Sequence, residues 1–176
     1  MAAHTETSVA PLWQQRITHS TCSFVTCADH LVLFQSLYQR TNRTRGSKIL
    51  RCFPHCCPHH LDRNFCGSPL LIRVEDSKSL LSLELLVFAR FRLVNSVDFG
   101  VGDCIAASDI LSSIQSEQNP NGEWITADEQ ISLAQTHSRS FLLNPRARWF
   151  YSWESGVAKA HRLQEHALRV LVLAPM

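Results

Sequence analysis

The stretch RCFPHCCPHH, residues 51–60, places three cysteines and three histidines in ten positions. Thiolate and imidazole are the side chains that hold zinc best, in a tetrahedron of four. Four ligands drawn from this stretch alone would crowd one loop, even though Cys52 and Cys56 form a C-x3-C pair and Cys57 and His60 a C-x2-H pair. A second half-site relieves the crowding. CSFVTCADH, residues 22–30, supplies Cys22, Cys27 and His30. The candidate metal ligands are therefore Cys22 and Cys27 with two of Cys52, Cys56 and His59, and zinc is the cofactor they would take. Pro54 and Pro58 keep the second group out of a continuous helix. The spacing lacks a C-x2-C pair, so free thiols in an irregular loop compete with the metal reading. The N-terminus has no basic start followed by an apolar core, so no secretory signal is expected and the cysteines are read as reduced.

Two further groups could bind rather than react. RTNRTRGSKILR contains Arg40, Arg43, Arg45, Lys48 and Arg51, a density of positive charge that suits phosphate and makes nucleic acid a candidate partner. A solvated linker has the same composition. NPRARWFYSWES sets Arg146 and Arg148 before Trp149, Phe150, Tyr151 and Trp153. In an extended chain Trp149, Tyr151 and Trp153 share one side. Such rings suit a partner surface, although packing in a core is their commoner use. The triplet Asp98-Phe99-Gly100 matches the magnesium-binding triplet of protein kinases, but the glycine loop, lysine strand and H-R-D loop that make it work there are missing. It is expected to end the element before it, with Gly100 and Gly102 making a turn. No nucleophile elbow, phosphate loop, dinucleotide fingerprint or H-E-x-x-H is found, so no residue is assigned a catalytic role.

The elements that would position these groups are read from periodicity. At 176 residues the chain suits one domain, or one domain and a tail. Its charged fraction, 18%, is below the usual figure of about 25%. Arginine outnumbers lysine 14 to 3, and serine reaches 19, a bias that a weakly constrained reading frame would also produce. The basic excess lies before residue 62, and acids slightly outnumber bases after it. Residues 1–66 are expected to form an irregular, even disordered, basic region carrying the Cys/His groups, with a short helix over residues 31–38. Residues 67–176 are expected to be globular and helix-rich. The apolar run over 80–97 reads as a buried helix or a strand. Ala107, Ile110, Leu111 and Ile114 share one helical side, and NPNG, residues 119–122, is a turn. Thr126 and Glu129 match a capping box, which predicts a helix to about His137. Val157, Ala160, Leu163, Ala167, Leu168 and Leu171 recur at helical spacing and predict a terminal helix. The expected fold class is mainly α: a small helical C-terminal region with a short strand or hairpin, behind an irregular N-terminal region.

These observations favour a small, non-catalytic interaction protein, with a protein partner on the C-terminal helix or on Trp149, Tyr151 and Trp153. The alternatives are a zinc-stabilised Cys/His module contacting nucleic acid through Arg40, Arg43, Arg45, Lys48 and Arg51, and an enzyme with an unfamiliar site. A transmembrane segment is not expected. Glu84, Arg90 and Arg92 interrupt the most apolar stretch, and a charge costs about 2.5–3.5 kcal/mol at the centre of a bilayer. An intracellular location, cytoplasmic or nuclear, follows from the missing signal, with mitochondrial import as the alternative.

Overall fold

A computed structural model describes residues 11–16, 22–26, 32–42, 48–54, 67–75, 83–131, 138–146, 148–151 and 164–176. Among them, strands dominate. In chain order they are β1 (Leu12–Gln15), β2 (Cys22–Phe24), β3 (Arg40–Asn42), β4 (Lys48–Leu50), β5 (Leu70–Glu75), β6 (Leu86–Leu93), β7 (Cys104–Ala106), β8 (Ile125–Gln130), β9 (Ser138–Leu143) and β10 (His166–Pro175). One short helix, α1 (Ala107–Leu111), follows β7. Eight strands make one sheet in the order β2-β5-β9-β8-β6-β10-β1-β7, every neighbour antiparallel, and β3 pairs with β4 separately.

Strand β5 shows the period of two plainly. Leu70, Ile72 and Val74 are buried while Arg73 and Glu75 are exposed. β6 and β10 do not, because both of their faces are covered. On one face, Val87, Ala89, Val172 and Ala174 join Ile72, Val74, Ile125, Phe141 and Leu143 in the larger core. Leu50, Phe53 and Trp149 pack onto that core from outside the sheet. On the other face, Phe88, Leu171 and Leu173 pack with Trp13, Ile105 and Trp124, and α1 contributes Ala107 and Ile110. Trp13 and Phe88 stack there at 5.5 Å.

The expectation of a mainly α fold is overturned by this sheet. Thr126 and Glu129 lie on β8, and Glu129 faces across to β9, where both its oxygens accept from Arg139 at 2.7 Å. That partner is distant in the chain, and it displaces the local capping use of the carboxylate. The expected terminal helix is also corrected. Ala167, Leu168 and Leu171 belong to β10, which pairs with β6 over eight consecutive residues. Val157, Ala160 and Leu163 lie outside the described residues. The helix expected around residues 107–114 is reduced to α1, and Ile114 instead bridges Trp124. Residues 32–38 form no helix: Leu37 is 80% exposed, and only Leu33, Phe34 and Tyr38 pack against the larger core. Strands from the first third of the chain share the sheet with later ones, β1 lying on β10 and β2 on β5. No helix among the described residues is long and apolar enough to cross a membrane.

The turn expected at residues 119–122 is present, with the Gly122 amide donating to the Asn119 carbonyl at 3.0 Å. It presses on the backbone of Ile114, and a β-carbon on Gly122 would lie 2.6 Å from that residue's carbonyl carbon and oxygen. Gly122→Ala should therefore destabilise the protein by about 1–3 kcal/mol through overpacking. Gly100→Ala, where the new carbon would sit 3.5 Å from the nearest atom, should be nearly neutral. Urea unfolding of the two variants checks this, and similar midpoints would refute the close approach.

Candidate functional site

The candidates from the sequence are dispersed by this fold. Cys22 lies on edge strand β2 opposite Val74, and burial pushes its thiol up to about 11, leaving it neutral at physiological pH. Cys52 follows β4 in a left-handed conformation, φ 53°. Cys27, Cys56 and His59 lie outside the described residues, as do His30, Cys57 and His60. Among the described residues no three His, Cys, Asp or Glu side chains converge as a metal site.

The basic stretch and the aromatic stretch, separate in the sequence, meet. The Leu50 amide donates to the Trp149 carbonyl and the Tyr151 amide to the Lys48 carbonyl, both at 2.9 Å, so residues 149–151 bridge onto β4 around Ile49 and Phe150. Arg40 and Lys48 belong to that pair, and the Arg51 amide donates to the Gln39 carbonyl. Arg43 and Arg45 lie outside the described residues, as does Trp153. Trp149 is not available as a partner surface. It is 0% exposed, lies 4.8 Å from the Phe53 ring, and donates its indole N–H to the Ser68 carbonyl at 2.9 Å. Tyr151 packs on Phe91 and His166, and burial raises its hydroxyl pKa against the opposing charge of Arg40.

The most developed concavity is elsewhere. A cavity of about 720 Å3 lies between β2 and β10, closed at one end by Gln15 and bordered by residues 98–101. Its shape follows from a change of partner. Among the described residues, β1 pairs with β10 at Gln15↔Leu173, Gln14↔Ala174 and Trp13↔Pro175, and the Arg16 amide donates to the Val172 carbonyl at 2.9 Å. By Cys22 the chain is on β5 instead. The cavity is lined by residues of both β10 and β2.

The slot is lined by backbone of β2 and β10. In an antiparallel ladder, successive residues turn their amide and carbonyl groups to opposite neighbours. Glu165 accepts from the Val94 amide, at 3.0 Å, on the β6 side, so residues 167, 169 and 171 also face β6. Leu168, Val170 and Val172 face the other way. Val172 is bonded to Arg16, while among the described strands none pairs with Leu168 and Val170 on that side. On β2 the same count applies. The Val25 amide donates to Leu71 at 2.8 Å, so Ser23 faces β5 and the backbone groups of Cys22 and Phe24 face away from it.

At the rim, Asp98 organises charge. Arg90 and Arg169 stand directly opposite each other on β6 and β10, an arrangement that repels unless neutralised. Asp98 lies between them, one oxygen accepting from Arg90 and the other 3.7 Å from Arg169. Glu123 pairs with Arg90 at 2.7 Å, and the Arg90 guanidinium lies 4.4 Å from the Trp124 ring centre and 5.2 Å from that of Phe99. Burial pushes the Asp98 carboxyl up, but the Arg90 hydrogen bond, the Phe99 amide at 2.9 Å and the charges of Arg90 and Arg169 outweigh it and hold it below the usual range. Asp103 fastens the loop beyond, its carboxylate accepting from the Gly100 amide at 2.7 Å. The same loop carries Val97, 90% exposed, and Val101, 56% exposed.

Of the residues singled out in the sequence, Cys22 and Asp98-Phe99-Gly100 line this slot, for reasons unconnected with metal or phosphate. Gln15, Phe24 and Ile72 carry no sequence signal of a site, whereas residues 167–172 belong to the segment expected to be a partner-binding helix, which is strand β10 instead. No protein family, curated protein or solved structure matches the chain.

Proposed function

We propose that this chain is a binding protein for polypeptide, and that the slot between β2 and β10 is where it binds. The observation that carries the reading is the cavity of about 720 Å3 lined by β2 and β10, where no described strand pairs with Leu168 and Val170 on the cavity side. Exposed edges are the usual template for pairing with another chain, and folds normally cover or blunt them. The slot's equipment is of the same kind. It consists of backbone donors and acceptors, aliphatic side chains from Ile72, Leu168 and Val170, and a charge cluster already neutralised within the fold. Exposed Val97 and Val101 on the bordering loop extend the apolar surface outward.

The test uses an unfolded, carboxymethylated protein as probe and follows backbone hydrogen exchange in the full chain. Added probe should slow exchange in residues 22–25 and 166–171. Val170→Arg, which brings a charge into the slot, should weaken binding by tenfold or more. Protection confined to other segments, or equal binding by Val170→Arg, would refute the assignment.

A further inference from the structure

We infer that Asn121 is a self-modification site, at which the Gly122 amide displaces the Asn121 side-chain nitrogen, and that the turn holding Gly122 blocks the reaction until residues 113–124 open. The site is independent of the slot. Of the asparagines, at 42, 64, 95, 119, 121 and 144, only Asn121 precedes glycine. Asn119 and Asn144 precede prolines, whose nitrogen carries no hydrogen and cannot attack. Glycine has no β-carbon, so its nitrogen is unshielded and its backbone turns freely. Asn121 is exposed, so water reaches its side-chain amide. The chemistry balances with water as the only co-reactant. The Gly122 nitrogen bonds to the Asn121 Cγ, the bond from Cγ to the amide nitrogen breaks, and ammonia leaves with the Gly122 proton. Water then opens the cyclic imide. Opening at the side-chain carbonyl leaves aspartate. Opening at the main-chain carbonyl leaves isoaspartate, in which the chain runs through the side-chain carbon.

The fold opposes the first step and magnifies the last. The attacking amide of Gly122 donates to the Asn119 carbonyl at 3.0 Å, and the Gly122 carbonyl accepts from Gln115 Nε2 at 3.2 Å. Gly122 is also buried against Ile114, where even a β-carbon would lie 2.6 Å from the backbone. On either side of this contact the Trp124 amide donates to the Ser113 carbonyl at 3.0 Å and the Gln115 amide to the Trp124 carbonyl at 2.7 Å. Gly122 swings toward the Asn121 side chain only when these bonds open together, a local event of lower cost than global unfolding. Isoaspartate then adds a carbon to the main chain beside Gly122, where Ile114 leaves no room for it. The residues that follow carry the consequence, since Glu123 pairs with Arg90 at 2.7 Å and the Trp124 ring packs on Phe88 at 6.4 Å. A molecule that has reacted cannot restore the original turn, so a transient opening becomes a lasting loosening of residues 113–124.

The full chain is aged at mildly alkaline pH, folded and in guanidinium chloride, and conversion is read by peptide mass with an isoaspartate-specific methyltransferase as probe. Conversion at Asn121 should be slower in the folded protein by about tenfold or more, since only opened molecules react. Equal rates would overturn the protection by the turn, and conversion in neither condition would overturn the site. In the aged fraction that carries isoaspartate, hydrogen exchange at the Gln115 and Trp124 amides should quicken while exchange in β5 keeps the parent rate. Unchanged exchange at those two amides would overturn the loosening. Freshly prepared Asn121→Asp has the charge of the products on a normal main chain and should exchange as the parent does. If it is as loose as the aged fraction, charge is the cause and the role of the added carbon is overturned.

Discussion

Trp149→Ala should destabilise the protein by about 3–5 kcal/mol, the range for deleting a large aromatic from a close-packed core. Trp149 is fully buried in the contact between residues 148–151 and the sheet, with Phe53 at 4.8 Å and Phe91 at 6.4 Å. Truncation opens a cavity among these rings and removes the indole bond to the Ser68 carbonyl. A native domain is stable by only about 5–15 kcal/mol, so the loss is a large share of the total. Trp149→Phe keeps an aromatic ring in place and loses the hydrogen bond with part of the volume, so it should cost roughly half as much. Urea unfolding followed by far-UV circular dichroism measures both. An alanine variant within 1 kcal/mol of the parent would show that this ring does not hold the β3–β4 pair to the core.

The same ring marks what could be read in the sequence. Core packing was the commoner expectation for an aromatic run, and Trp149 and Phe150 are buried. Within residues 80–97, Phe91 and Leu93 alternate with Arg90 and Arg92 as a strand requires, and they lie on β6. The helical reading of β10 fails for a physical reason. Leu171 to Ala174 are buried consecutively, since one face meets each core, and this erases the period of two. What remained, Leu168 and Leu171 with Ala167, satisfies a helical spacing equally well. Val170 and Val172, whose branching at Cβ suits a strand, were the available counter-signal. Thr126 and Glu129 failed differently, because a short-range pattern was matched while Arg139 decided the outcome from another strand. The slot is not legible as a cavity, although the C-terminal segment that lines it is expected to be a partner surface. Its walls come from residues near 15, 23, 98 and 170, and the groups that matter are amides and carbonyls that every residue carries.

Removing the arginine at the rim should have the second large effect, and its pH dependence identifies the cause. Arg90→Met keeps much of the aliphatic stem between Trp124 and Phe99 but leaves Asp98 buried without its principal partner. Both side chains are 8% exposed, so solvent cannot take the arginine's place. Breaking a buried pair on one side costs about 3–5 kcal/mol. The folded-state carboxyl of Asp98 is held below its ordinary value in the parent, so its contribution is full above the unfolded value of about 3.9 and is lost as pH falls through the lowered folded value. In Arg90→Met the lowering from Arg90 disappears and burial pushes the carboxyl up. The variant therefore binds that proton more readily than the parent on acidification. The difference in stability between the two should be greatest near pH 7 and should shrink below about pH 4. Adding Asp98→Leu to Arg90→Met removes the stranded charge and should recover most of the loss at pH 7, because a buried pair exchanged for apolar groups is often neutral. Unfolding curves at pH 7 and pH 3 decide it. A stability difference unchanged between them, or a double variant no better than Arg90→Met, would mean that Arg90 acts by packing between Trp124 and Phe99 and not by holding the charge of Asp98.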